Sequence, residues 1–181
     1  MKIRKLQAGA SMVEILVTLV IIAFGLLGMA GLQMRLQVSE VESYQRSQAL
    51  LLLNDMASRL ATNRNAAGSY VTGTTYGSGM TCPTATTTQA QRDLKEWCQN
   101  LQGASETSNA GATKQGAMVG GRGCVEVKDD DYFITVAWQG MTGISAPPSS
   151  VTCGANLYDG GNCVNDMCRR FVTTIVRIAT L

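Results

Sequence analysis

The side chains able to do chemistry are few and unevenly placed. The 181-residue chain has no histidine, which removes the commonest general base and the commonest transition-metal ligand. Its six cysteines, Cys82, Cys98, Cys124, Cys153, Cys163 and Cys168, all follow a long apolar stretch. They offer no C-x2-C pair and no histidine to complete a zinc site, so they are expected to form disulfides in an oxidising compartment such as the periplasm. Six cysteines allow about 15 pairings. Cys82 with Cys98 is preferred, because both sit in one short segment, with the other four tying loops to a sheet. Asp129, Asp130 and Asp131 are consecutive carboxylates that could attract calcium, but three in a row cannot converge on one ion without help from elsewhere. They are expected to form a solvated hairpin loop. Gly120-Gly121-Arg122-Gly123 lacks the lysine and the spacing of a phosphate loop and is read as a turn before a strand. No G-x-S-x-G nucleophile motif is present. The expectation is a protein that is not an enzyme, with no catalytic residue, cofactor or metal. The net charge of +2, with the basic residues scattered, leaves no electrostatic footprint for nucleic acid.

One ionisable residue remains to be explained. From Ile15 to Leu32 the chain is almost uninterruptedly apolar, just reaching the roughly 18 residues that suggest a membrane-spanning helix. Lys2, Arg4 and Lys5 precede it, which leaves the N-terminus in the cytoplasm and sends the rest outward. Glu14 sits at the cytoplasmic edge of this run, where a carboxylate costs less than the about 2.5–3.5 kcal/mol charged to Asp at a helix centre. It could simply reach the lipid headgroups. An ordinary signal peptide would instead be cut after the apolar stretch, near Gly28-Met29-Ala30, yet apolar residues continue at helical spacing past that point.

The string Gly9-Ala10-Ser11-Met12-Val13-Glu14-Ile15-Leu16-Val17-Thr18-Leu19 resembles the prepilin leader motif of type IV pilins and type II secretion pseudopilins. The resemblance implies that residues 1–9 are a cytoplasmic leader, that a prepilin peptidase cuts after Gly9, and that Ala10 becomes a methylated N-terminus. The family usually has Phe where Ala10 stands. It also implies a role for Glu14: inside a bundle of such helices a carboxylate needs a cation, and the terminal ammonium of a neighbouring subunit supplies it. The pairing would set the stagger between subunits, as a buried polar residue sets register in a coiled coil.

The elements that must carry these residues follow from periodicity. Residues 10–62 contain no proline, and Leu32, Leu36, Tyr44, Ala49, Leu52, Leu53, Met56 and Leu60 recur at spacings near three and four. This predicts one helix of about 50 residues, roughly 75 Å long, with residues 10–33 as its transmembrane half and the remainder packed on something soluble. Glu42 with Arg46 and Asp55 with Arg59 are spaced for i,i+4 pairs. Residues 63–68 are expected to stop the helix, with Gly68 as the breaker. Gly25, Gly28 and Gly31 allow close helix contact, and since major pilins often have Pro at the position of Gly31, a local loosening is expected there. Residues 63–124 read as loop with a short helix near 89–101, capped by Thr88, stopped by Gly103 and presenting Ala90, Leu94, Trp97 and Leu101 on one face. Residues 125–181 read as an antiparallel sheet. Val125 and Val127 begin one strand, Tyr132, Ile134, Val136 and Trp138 form the covering face of a second, and Arg169–Leu181 make the last.

The expected class is α+β: a long N-terminal helix packed on a small antiparallel sheet with disulfide-stapled loops, which resembles the pilin fold. The Trp97 helix, the strand ending in Trp138-Gln139-Gly140 and the Arg169-Arg170-Phe171 strand resemble minor pilins of the PilV type. That resemblance implies a single-pass inner-membrane precursor that moves to the pilus and the cell surface. Its expected partners are prepilin peptidase, other pilins or minor pilins, the inner-membrane assembly machinery and, before assembly, lipid. The implied role is in pilus assembly and initiation, and so in twitching motility. A type II secretion pseudopilin is the rival within the class, and a membrane-anchored or secreted periplasmic binding domain the rival outside it.

Overall fold

The computed structural model describes residues 11–104, 107–108, 113–114 and 118–178. Helix α1 runs from Met12 to Thr62. Ser11 opens it: its hydroxyl accepts the Val13 N–H at 3.3 Å and its carbonyl accepts the first helical bond, from Ile15 at 3.2 Å, as an N-cap residue does. The helical backbone is unbroken through Gly25, Gly28 and Gly31, so the loosening expected at Gly31 is not found. With no proline in the segment, every interior N–H remains available to the ladder. The end of α1 also differs from expectation. Asn63 leaves the helical region (φ −103°, ψ 42°) and the chain tightens into a 3-10 helix, Arg64–Tyr70. Gly68 lies inside that second helix rather than breaking the first; it is Asn63 that interrupts the α-ladder.

The chain divides into two compact units, residues 1–40 and 41–181. The second unit is built on a four-stranded antiparallel sheet in the order β1 (Tyr76–Gly77), β4 (Arg122–Lys128), β5 (Asp131–Gln139), β6 (Arg169–Arg177). A two-residue pair, β2 (Thr107–Ser108) with β3 (Thr113–Lys114), forms a separate ribbon. The sheet therefore begins earlier than Val125, and β1 and β4 recruit residues read as loop. Helix α2 spans Gln89–Leu101; Thr88 and Gln91 form a capping box. Gly103 ends α2 at φ 85°, the left-handed position that favours glycine.

The β4–β5 hairpin turns on Asp129 and Asp130 alone, both with positive φ, as a two-residue turn matching strand twist requires. Asp131 belongs to β5, opposite Lys128, so the expected three-residue aspartate loop is corrected to two. One face of the sheet holds the core. Ala49, Leu53, Met56 and Leu60 from α1 and Leu94, Trp97 and Leu101 from α2 cluster with Val125, Ile134, Val136 and Trp138. The apolar face of β5 is thus used as its alternation predicts. Thr135 and Ala137 on the opposite face are buried as well, because the return segment between β5 and β6 lies over them. Its Cys153 approaches the Thr135 carbonyl, and Gly154 fits between Ala137 and Tyr158.

Candidate functional site

Within residues 11–40 the large apolar side chains are exposed through every turn, Phe24 to 72%. The most apolar 18-residue window has a mean hydropathy of 2.6 and none of it is buried. A helix apolar all round, without a polar face, is not stable against water and requires lipid or other helices. It is long and apolar enough to be a single membrane span. Glu14 lies exposed in its first turn, three residues after the Ser11 cap. There its charge complements the positive end of the helix dipole. Gly9 and Ala10, the expected cleavage and methylation positions, lie outside the described residues.

The cysteines are all paired. Cys82 bonds Cys98, as preferred from the sequence, and fastens the segment before α2 onto that helix. Cys124 bonds Cys153, clamping the return segment to β4. Cys163 bonds Cys168, closing a short loop immediately before β6. All six cysteines are thus held in three disulfides.

Among the described residues of the second unit, three carboxylates converge on one arginine. The expected Asp55–Arg59 pair forms at 2.9 Å, but Arg59 also donates to Asp93 at 3.0 Å and to Glu96 at 2.9 Å on α2. Burial alone would lower the Arg59 pKa, yet the hydrogen bonds it donates to Asp55, Glu96 and Asp93 outweigh it and hold the guanidinium above its ordinary value. Asp93 is 4% exposed and further accepts from the Tyr70 hydroxyl and the Gln89 amide. Burial, reinforced by the bond to Asp93, pushes Tyr70 up to about 12. Arg169, 3% exposed, donates to the carbonyls of Val151 and Cys153. Asp166 lies 3.2 Å from its Nε, outside hydrogen-bond direction but close enough to neutralise it.

The expected Glu42–Arg46 pair is corrected. Glu42 accepts the Met141 N–H at 2.9 Å and sits 3.5 Å from Arg170, because the start of β6 and the segment that follows β5 reach this part of α1. Asp93 and Arg169 were not foreseen as structural anchors. For Asp93 a signal existed: it lies on the Ala90–Leu94–Trp97 stripe, where a lone charge implies a buried partner. Arg169 gives no such signal. Trp97 donates its indole N–H to the Leu52 carbonyl at 2.9 Å, and Gly123 leaves room for its ring.

Comparison of the chain with protein-family models, with curated proteins and with solved structures gives no match.

Proposed function

We propose that this chain is a non-enzymatic filament subunit of the type IV pilin kind, in the manner of a minor pilin of the PilV type. The observation carrying this reading is the apolar first stretch of α1, exposed in every direction, with Glu14 as its single acidic residue in the first turn. Such a helix is compatible with lipid and equally with a bundle of like helices. A carboxylate at its N-terminal end supplies one polar partner by which neighbouring helices could fix their stagger. The disulfide-bonded unit at residues 41–181 supports an exported location. On this reading the precursor rests in the inner membrane, is cut after Gly9, and enters the filament through lateral helix packing. It acts with other minor pilins in initiating assembly.

The test is the intact mass and N-terminal peptide of the protein taken from membranes, with and without prepilin peptidase. The expected product starts at Ala10, methylated, only when the peptidase is present. A start at Gly31, or at Met1 regardless of peptidase, would overturn the reading and leave a secreted or anchored binding domain. A deletion that abolishes exoprotein secretion while sparing twitching would move the chain to the pseudopilins.

A further inference from the structure

The ring closed by Cys163 and Cys168, 5 residues apart in sequence, differs from the other two disulfides in access and in backbone. Both cysteines of the Cys124–Cys153 bond are buried. Cys163 is half-buried, and its neighbours Asn162 and Val164 are exposed. Cys82 is half-buried as well, but no residue between it and Cys98 has a positive φ, whereas inside the Cys163–Cys168 ring Asn165 (54°) and Asp166 (58°) both do. Non-glycine residues stay in that region when their surroundings hold them there. The closing bond of the ring is one such hold, so breaking it lets two consecutive residues relax. A disulfide that is reachable and closes a strained backbone is of the easily reduced kind.

The same ring fastens the return segment to the start of β6. The Met167 carbonyl accepts the Ile144 N–H at 2.8 Å and Nη1 of Arg170 at 3.1 Å, and the Met167 side chain lies beside Gly143. The Asp166 carboxylate accepts the Asn156 N–H at 2.8 and 3.0 Å and neutralises the buried Arg169. The Asp166 N–H in turn donates to Asp159 at 2.8 Å. Three stretches of the return segment, at Ile144, Asn156 and Asp159, therefore meet on two adjacent ring residues. The cluster that packs α1 and α2 on the sheet contains none of the ring residues, so the ring can open as a local event that leaves the core in place.

We propose that the Cys163–Cys168 ring is a redox-sensitive latch: a dithiol opens it ahead of the other two disulfides, and opening releases the return segment at Ile144 and Asn156 while the sheet and its helices stay folded. A thiolate of the dithiol attacks Sγ of Cys163, the S–S bond breaks, and Cys168 leaves as a thiolate that takes up a proton. The second sulfur of the dithiol then displaces Cys163, which is protonated, and the dithiol closes its own disulfide. The chain gains two electrons and two protons and the dithiol loses them.

The test titrates the full chain in detergent micelles with dithiothreitol at neutral pH, quenches with N-ethylmaleimide and maps the labelled cysteines by peptide mass spectrometry. Cys163 and Cys168 are expected to be labelled at a dithiol concentration at least roughly tenfold below that needed for either other pair. Asn165→Val places a β-branched residue at the exposed, positive-φ position of the ring and is expected to lower the required dithiol by a further factor of roughly ten. Should that variant misfold by circular dichroism, Asn165→Ala is expected to shift the titration the same way by roughly threefold. In a chain carrying Cys163→Ser and Cys168→Ser, amide exchange by NMR is expected to be at least roughly tenfold faster at Ile144, Asn156 and Asp166, with the β5 amides unchanged. Opening of Cys82–Cys98 or Cys124–Cys153 first or together with this ring overturns the proposal. So does a titration that the Asn165 variants leave unmoved, unchanged exchange at the three amides, or faster exchange that spreads to β5.

Discussion

Replacing Arg59 with Met removes a cation on which three carboxylates converge and tests whether the hub holds α1 to α2. Two of the pairs are partly solvated: the Asp55 side chain is 36% exposed and that of Glu96 57%. Each contributes about 0.2–1 kcal/mol. Asp93 is different, since its side chain is 5% exposed and without Arg59 it keeps only the Tyr70 hydroxyl and the Gln89 amide. Stranding a buried charge costs about 3–5 kcal/mol, and the one-quarter exposure of Arg59 places this case near the lower end. The expected loss is about 3–4 kcal/mol, a large share of the about 5–15 kcal/mol typical of a domain. Adding Asp93→Asn removes the stranded charge, so the double variant is expected to recover about 1–2 kcal/mol over Arg59→Met alone. Urea unfolding of the full chain in detergent, followed by fluorescence of the buried Trp97 and Trp138, measures both. A loss below about 1 kcal/mol, or a double variant no more stable than the single one, would refute the hub as a buried-charge device.

Three further outcomes are expected. Gly123→Ala should cost about 1–3 kcal/mol by overpacking and shift Trp97 fluorescence, because an added Cβ would run into the Trp97 ring; an unchanged urea midpoint would refute this. Paired Cys→Ser replacements should destabilise in order of loop length, which is 29 residues for Cys124–Cys153, 16 for Cys82–Cys98 and 5 for Cys163–Cys168. The chain-entropy relation gives about 3.5, 3 and 2 kcal/mol, and urea midpoints that invert the order would contradict it. Stability should fall in alkali: burial raises Tyr70 and Tyr158 to about 12, so the stabilisation is complete below the unfolded value near 10 and is lost as pH rises toward 12. At about pH 11 each tyrosine would have lost about 1.4 kcal/mol; a urea midpoint flat between about pH 9 and 11 would exclude it.

Much of the architecture was legible because it depends on local pattern. The apolar run and the absence of proline announce α1, the Thr88 cap and Gly103 bound α2 closely, and alternation from Tyr132 to Trp138 marks the core strand. What escaped were pairings whose partners are distant in sequence. Glu42 was matched with Arg46 because i,i+4 spacing is a pairing the helix offers by itself, whereas the fold brings Arg170 to it from β6. Gly68 was taken as a stop on residue type, but Asn63 ends the helix first.

By itself the sequence determined that one helix is long and apolar enough to span a membrane along its first stretch, with Glu14 near its start, and that the cysteines are of the number and spacing that form disulfides. These follow from composition and from periods of two and 3.6, which are properties of neighbouring residues. Only the tertiary structure decided that Arg59 gathers carboxylates from two helices, that the return segment covers the second face of β5, and that Glu42 meets Arg170. Each of these depends on which segments meet across long stretches of chain, and a meeting of that kind leaves no mark on the local pattern of either segment.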